Sequence, residues 1–186
     1  MDPKSEILNA LYQGKRDEAG RLGDAAASLT VWEAAALNRT EPLAEALSSD
    51  PSLATAYAPD GHTALGLACF FGAPAAVRVL LERGADVHAT SRNPMSVQPL
   101  HAAIAGRNTE AVPLLLEGGA DVNARQQLGY TPLMGAAAGG REDLVDLLVR
   151  HGADPALRND EGKSAADVAR EHKHEALAER LQATHA

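Results

Sequence analysis

A short string of residue types recurs three times along the chain at nearly constant spacing. Residues 81–87 read Leu-Glu-Arg-Gly-Ala-Asp-Val, and close copies stand at residues 116–122 and 149–155. The aligned glycines of these copies, Gly84, Gly119 and Gly152, are 35 and 33 residues apart. A second string recurs upstream of each copy, at residues 63–68, 98–103 and 131–136. A period of this length predicts a stack of similar units, in which each unit packs on its neighbours.

Each unit is expected to form two short helices. Thr63 offers a hydroxyl that can cap the first helix, and Gly72 interrupts the chain before the second. Gly84 then ends the second helix, because glycine adopts positive φ without strain. The apolar side chains at helical spacing are Leu65, Ala68 and Cys69 in the first helix and Val77, Leu80 and Leu81 in the second. Such a pair cannot bury its apolar stripe alone, so the units must stack.

The repeated strings identify a family resemblance. The units begin like Thr-Pro-Leu-His-x-Ala and close like Gly-Ala-Asp-Val-Asn-Ala, so the chain resembles ankyrin repeats, and residues 57–158 do so most clearly. The resemblance implies an all-α solenoid of stacked helix-turn-helix units joined by β-hairpin-like loops. It predicts one domain over residues 1–186, with six helix pairs. The expected segments are 1–25 (an N-terminal half-repeat cap), 26–56, 57–91, 92–124, 125–157 and 158–186 (a C-terminal cap).

Composition narrows the class of protein further. The net charge of −8 argues against general affinity for nucleic acid or anionic lipid. No apolar run is long enough to span a bilayer, and the acid at Asp2 without a following apolar segment argues against a secretory signal. One cysteine, Cys69, excludes an internal disulfide and suits a reducing compartment, so a cytoplasmic location is expected.

Motifs for chemistry are weak. Residues 161–164, Glu-Gly-Lys-Ser, lack the first glycine of a phosphate-binding loop and are better interpreted as a hairpin followed by a helix cap. His172 and His174 are two residues apart and point to different sides of a helix, so no zinc pair is expected. Cys69 aligns with small residues, which predicts a buried and inert thiol. His101 holds the family's structural histidine position. We therefore expect no catalytic site, metal or cofactor.

The resemblance implies where a protein partner would bind, namely the hairpin tips and the solvent side of the first helices. Aromatic residues make up only 3% of the chain. Five of the six, namely Tyr12, Tyr57, Phe70, Phe71 and Tyr130, fall at positions that the family leaves variable and outward-facing, whereas Trp32 takes a core position. Such rings would suit an interface hot spot. The alternative is that Phe70 and Phe71 fold back on the tip at residues 91–97, which is two residues longer than its neighbours.

Arginines recur at the tips as well. Arg92, Arg125 and Arg158 each lie six residues before the first position of the next helix. Together they would form a basic row that suits a partner carrying acidic groups or a C-terminal carboxylate. The alternative is that they are solvated tip residues, which is equally ordinary.

The sequence thus predicts a protein-interaction module that acts as an adaptor, an inhibitor or a regulator. It is expected to bind one protein partner on its concave face. A monomer is expected rather than a dimer. The alternatives are a self-associating module that buries Phe70 and Phe71 against a second copy, and an enzyme or small-ligand binder. The predicted partner-binding residues are Tyr57, Pro59, Asp60, His62, Phe70, Phe71, Arg92, Met95, Val97, Arg125, Leu128, Tyr130 and Arg158.

Overall fold

The computed structural model describes residues 5–183, and these form twelve α-helices. Asp2, which argued against a secretory signal, and residues 184–186 of the predicted C-terminal cap lie outside the described residues. In chain order the helices are α1 Glu6–Tyr12, α2 Arg16–Ala25, α3 Val31–Ala36, α4 Thr40–Ser49, α5 Ala64–Phe71, α6 Pro74–Glu82, α7 Pro99–Ala105, α8 Ala111–Glu117, α9 Pro132–Ala138, α10 Glu142–Arg150, α11 Ala165–Glu171 and α12 Glu175–Ala183.

The helices pair as the repeat predicts and stack in two layers. The first helices α3, α5, α7, α9 and α11 each pack on the next, and the second helices α4, α6 and α8 do the same behind them. One main core runs through the stack from Val31 to Leu181. Its members are mostly alanine, leucine and valine, which lets the layers approach closely. The all-α repeat solenoid expected from the sequence is therefore confirmed.

Threonine and serine start several of the first helices. Thr63, Thr131 and Ser164 each accept a hydrogen bond from the backbone N–H three residues later. Thr30 does the same for α3, and its side chain and Glu33 form a reciprocal capping box. Gln98, at the start of α7, makes no capping hydrogen bond.

Four hairpin tips join the repeats. We define the tips as residues 58–62, 91–97, 126–130 and 159–163, and in each the first backbone N–H donates to the carbonyl of the last residue. The second tip encloses two more residues than the others, as predicted. Backbone hydrogen bonds also link neighbouring tips: Arg92 donates to Gly61, and Asp160 donates to Leu128. Within residues 5–183, no backbone hydrogen bond links the tip 91–97 to the tip 126–130.

The N-terminal helix pair does not continue the stack. Its buried side chains belong to a separate N-terminal cluster, and within residues 5–183 the main core contains no side chain of α1 or α2. Trp32 is partly buried and packs against both the main core and the N-terminal cluster. The buried members of the N-terminal cluster are Ile7, Leu8, Ala10, Leu11, Ala19, Ala36, Ala58, Leu67 and Phe71. This cluster joins α1 to the first helices α3 and α5 and to the tip 58–62.

Candidate protein-binding face

The four tips and the exposed ends of the first helices form what we call the tip face. The first-helix positions on it are Phe70, Ala105, Gly139 and Glu171, which are exposed at the ends of α5, α7, α9 and α11. Short capped helices place these positions, because each first helix starts beside a tip and ends after two turns. Most predicted partner-binding residues lie on this face and are exposed or half-buried.

Among residues 5–183, the large exposed apolar side chains lie on the tip face or at the adjoining end of α1. In the described part of the chain there are four of them: Tyr12, Phe70, Met95 and Leu128, with exposed fractions of 46%, 39%, 54% and 56%. Met95 lies in the tip 91–97, and Leu128 lies in the tip 126–130. The second helices carry none of these four side chains. Exposed apolar side chains gathered on one face are typical of protein-binding sites.

Leu128 is also held in a strained backbone conformation. Its φ is +62°, in the left-handed region that a leucine rarely adopts. The next residue, Gly129, also has positive φ, at +71°. Strain at a well-defined position is often associated with function, and here it holds a leucine side chain out at the tip.

The expectation that Phe71 faces outward is wrong. Phe71 is only 6% exposed and belongs to the N-terminal cluster. Its ring lies 5.0 Å from the ring of Tyr12 and 5.1 Å from the ring of Phe70, both in edge-to-face geometry. The alternative that Phe70 and Phe71 pack on the tip 91–97 does not describe Phe71 either, because the ring that covers it comes from α1. Phe70 keeps 39% of its surface exposed.

Tyr57 and Tyr130 are half-buried and not fully outward. The Tyr57 hydroxyl donates to the Thr90 carbonyl at 3.2 Å, and the Arg92 guanidinium lies 3.8 Å above the Tyr57 ring. Tyr130 packs against the main core together with Val97. These contacts stiffen the base of the tips, so the two tyrosines offer less of their surface than the sequence indicated.

Two of the tip arginines, Arg125 and Arg158, have partners within the chain. Arg125 donates to the Arg158 carbonyl at 2.6 Å and lies 3.6 Å from the Asp160 carboxylate. Arg158 donates to the Gly162 carbonyl and lies 3.5 Å from Asp167. Arg125 thus reaches the next hairpin, Arg158 stays within its own hairpin and α11, and these two guanidiniums each have a carboxylate nearby. The expected basic row therefore exists as positions, but its charges are largely matched within the chain.

A side-chain network ties the long tip to the one before it. The Asn93 carbonyl oxygen accepts from the Ser91 hydroxyl and the Met95 N–H, which fixes the orientation of the amide. The Asn93 amide nitrogen then donates to Nε2 of His62 at 2.9 Å. Burial lowers the pKa of His62, partly offset by the charge of Asp60. Asn93 was missed in the sequence because an asparagine in a loop is an ordinary turn residue.

Small residues occupy the ends of the first helices in the two repeats that follow Phe70. A side chain at Gly106 would overlap the backbone carbonyl of Phe70, so α5 and α7 touch there through backbone. At the positions that correspond to Phe70 in the next two repeats, Ala105 is exposed and Ala138 is half-buried.

The residues considered for chemistry are placed as structural groups. Cys69 is fully buried, and burial raises the pKa of its thiol, which disfavours the thiolate. Nε2 of His101 lies 3.2 Å from the Tyr130 carbonyl, and burial lowers the pKa of His101 against the opposing effect of the Tyr130 and Ala124 carbonyls. Residues 5–183 hold no group of three or more acidic, histidine or cysteine side chains placed to bind a metal.

A family model described as ankyrin repeats (3 copies) matches this chain over residues 31–126 and again over residues 100–185. The chain belongs to the ankyrin-repeat family. The match begins at α3, so the part of this ankyrin-repeat protein that matches is the stack with the main core, and α1 and α2 lie before it. A search of curated proteins found no match. No helix of this ankyrin-repeat protein within residues 5–183 has both the length and the apolar character to cross a membrane.

Proposed function

We propose that this ankyrin-repeat protein binds a protein partner through the tip face and acts as a non-catalytic adaptor, inhibitor or regulator. Ankyrin repeats generally mediate protein–protein interaction. The observation that carries the proposal is the placement of Phe70, Met95 and Leu128, which stand exposed on consecutive repeats of one face. Buried apolar and aromatic anchors provide most of the free energy of protein association.

Apolar contact is the chief means of recognition in this proposal. Arg125 and Arg158 already have carboxylates nearby, so an acidic partner would compete with Asp160 and Asp167 for them. The protein is expected to be a monomer and to act in the cytoplasm. The single, buried cysteine supports the location, because it suits a reducing compartment.

The test is affinity capture from native lysate with a variant that removes the three anchors. Phe70→Ser, Met95→Ser and Leu128→Ser together should lose the proteins that the unaltered chain retains, because their apolar surface no longer reaches a partner. Captured proteins are identified by mass spectrometry, and far-UV circular dichroism checks that helical content is unchanged.

The matched control carries three serines on the second helices. Arg78, Glu117 and Arg150 are exposed on α6, α8 and α10, away from the tip face. Arg78→Ser, Glu117→Ser and Arg150→Ser should leave the captured set unchanged. Retention of the same proteins by the anchor variant, or their loss from the control, would overturn the proposal.

Light scattering separates a foreign partner from a second copy of the chain. A monomer is expected in both the unaltered chain and the anchor variant. A stable dimer that disappears in the anchor variant would instead support the self-associating module.

A further inference from the structure

Helix α1 lies across the tip face instead of on the end of the stack. At its start the Ser5 hydroxyl donates to Glu33 of α3 at 2.6 Å. At its end the Tyr12 ring packs on the rings of Phe70 and Phe71 of α5. An end-stacked helix would touch only its neighbour α3, so α1 passes over α3 and reaches the next repeat.

The surface under α1 is the same kind of surface that a partner would use. Leu67 and Phe71 project from α5 at positions corresponding to Glu33 and Leu37 of α3, 34 residues earlier. Leu67 and Phe71 are 1% and 6% exposed because they lie in the cluster with α1. The tip 58–62 closes one side, where the Tyr12 hydroxyl donates to Asp60 at 2.8 Å. We call this surface the α1 groove.

The attachment of α1 is limited. Apart from the apolar cluster it rests on the Ser5–Glu33 and Tyr12–Asp60 hydrogen bonds, of which the latter is exposed. Helix α2 contributes a single buried residue, Ala19, and the connection at residues 26–28 is exposed. A helix of seven residues has little stability by itself.

The main core does not depend on α1. It begins at Val31 and includes no described side chain of the first two helices. Removal of α1 therefore opens the N-terminal cluster and leaves the stack's own contacts in place. Elements joined to a fold through a separate small cluster open at lower free energy than the core.

We propose that the α1 groove is a binding site for an amphipathic helix of a protein partner, and that α1 is its resident and displaceable occupant. This inference rests on the proposed function, because the groove continues the tip face past Phe70. The occupant's chemistry follows from α1, whose apolar contacts come from Ile7, Leu8, Leu11 and Tyr12. A partner helix needs apolar residues at the same spacing, with polar residues on its other side.

The test uses the full chain and a fluorescent peptide of residues 5–14 as the probe. In the unaltered chain, α1 competes at high effective concentration, so peptide binding is weak. The opened variant Ile7→Asp/Leu11→Asp places charges where α1 must be buried, which frees the groove. Fluorescence anisotropy should show peptide binding to the opened variant at least about tenfold tighter than to the unaltered chain.

The matched control is Gln13→Asp/Arg21→Asp, which adds two acids at exposed positions of the same segment. It should bind the peptide as weakly as the unaltered chain. Phe71→Ala added to the opened variant should weaken peptide binding at least about tenfold, because it removes the floor of the groove. Equal affinity for the opened and unaltered chains would overturn the inference. Loss of more helical content than α1 and α2 contribute would also overturn it, since the stack from α3 to α12 must stand without α1.

A random peptide library then tests the class of partner. Peptides selected on the opened variant should share apolar residues at i, i+1, i+4 and i+5, and selection on the unaltered chain should not enrich them. Enrichment of another pattern, or none, would overturn the assignment to a helix. Met95→Ser/Leu128→Ser should not alter peptide binding, because neither residue is in the N-terminal cluster. Peptide binding therefore tests the α1 groove alone, whereas capture from lysate by the anchor variant tests the proposed function.

Discussion

At the scale of single residues, the turns inside the helix pairs show how local strain is distributed. Each first helix is followed by a residue with positive φ. In three pairs it is glycine, at Gly14, Gly72 and Gly140, and in the others it is Asn38, Arg107 and Lys173. The left-handed conformation costs a residue other than glycine or asparagine about 1–2 kcal/mol. Arg107 and Lys173 therefore carry backbone strain.

Replacement of Arg107 by glycine should therefore stabilise the protein. Arg107 has φ +57° and is exposed. The relief of strain exceeds the entropy that glycine loses on folding, for a net gain of about 0.5–1 kcal/mol in the free energy of unfolding. Urea denaturation followed by circular dichroism measures this, with Arg78→Gly inside α6 as a control that should be destabilising. A stability unchanged or lowered by Arg107→Gly would contradict the left-handed assignment.

The buried histidine of the third repeat makes stability depend on pH. Burial lowers the pKa of His101, so between its native pKa and about 6.5 the unfolded chain binds more protons than the native one. This contribution is complete above about pH 6.5 and is lost as the pH falls through the native pKa. The free energy of unfolding of His101→Gln should thus fall less between about pH 7.5 and about pH 5 than that of the unaltered chain. Equal slopes would count against this.

At the scale of elements, the helix pairs were predictable and their exposed ends were not. The helical spacing of Leu80 predicted that it lies in the core, and both Leu80 and Leu115, 35 residues later, are fully buried. Phe71 was misplaced because its family position is open in a regular stack, and here α1 covers it. The one signal was the short connection at residues 26–29, which has no room for a hairpin tip. Without a tip, α1 and α2 need not keep the register of the stack.

Leucine truncation separates the core of the stack from the tip face. Leu80→Ala and Leu115→Ala should each lower the free energy of unfolding by about 2–5 kcal/mol, because both side chains are fully buried. Leu128→Ala, at an exposed tip, should change it by less than about 0.5 kcal/mol. Chemical denaturation of the three variants measures both effects. A small loss for either buried leucine would show that the helix register is wrong.

At the scale of the whole molecule, the part of the chain that the structure describes has one long core and one small cluster beside it. Layers held by their neighbours make the main core a single stack from α3 to α12. Within residues 5–183, the buried side chains that the stack gives to the N-terminal cluster come from α3, α5 and the tip 58–62. The repeat period in the sequence predicted the stack, because nearest-neighbour packing repeats with it. It held no information on where a non-repeating pair would lie.

Hydrogen exchange of the full chain should show this division. Backbone amides of α1 and α2 are expected to exchange at least about tenfold faster than those of α5 and α7, because opening the small cluster exposes little of the main core. Mass spectrometry of peptic fragments resolves the two regions. Equal protection across them would mean that the chain opens as one unit.

Trp32, the one tryptophan of the chain, stands at the joint between the two clusters. Its indole N–H faces the Ala56 carbonyl at 3.4 Å while its ring touches both sets of apolar side chains. The wavelength of its emission therefore reports the arrival of water at that joint. The fluorescence of unlabelled protein can therefore report whether α1 is packed against the stack.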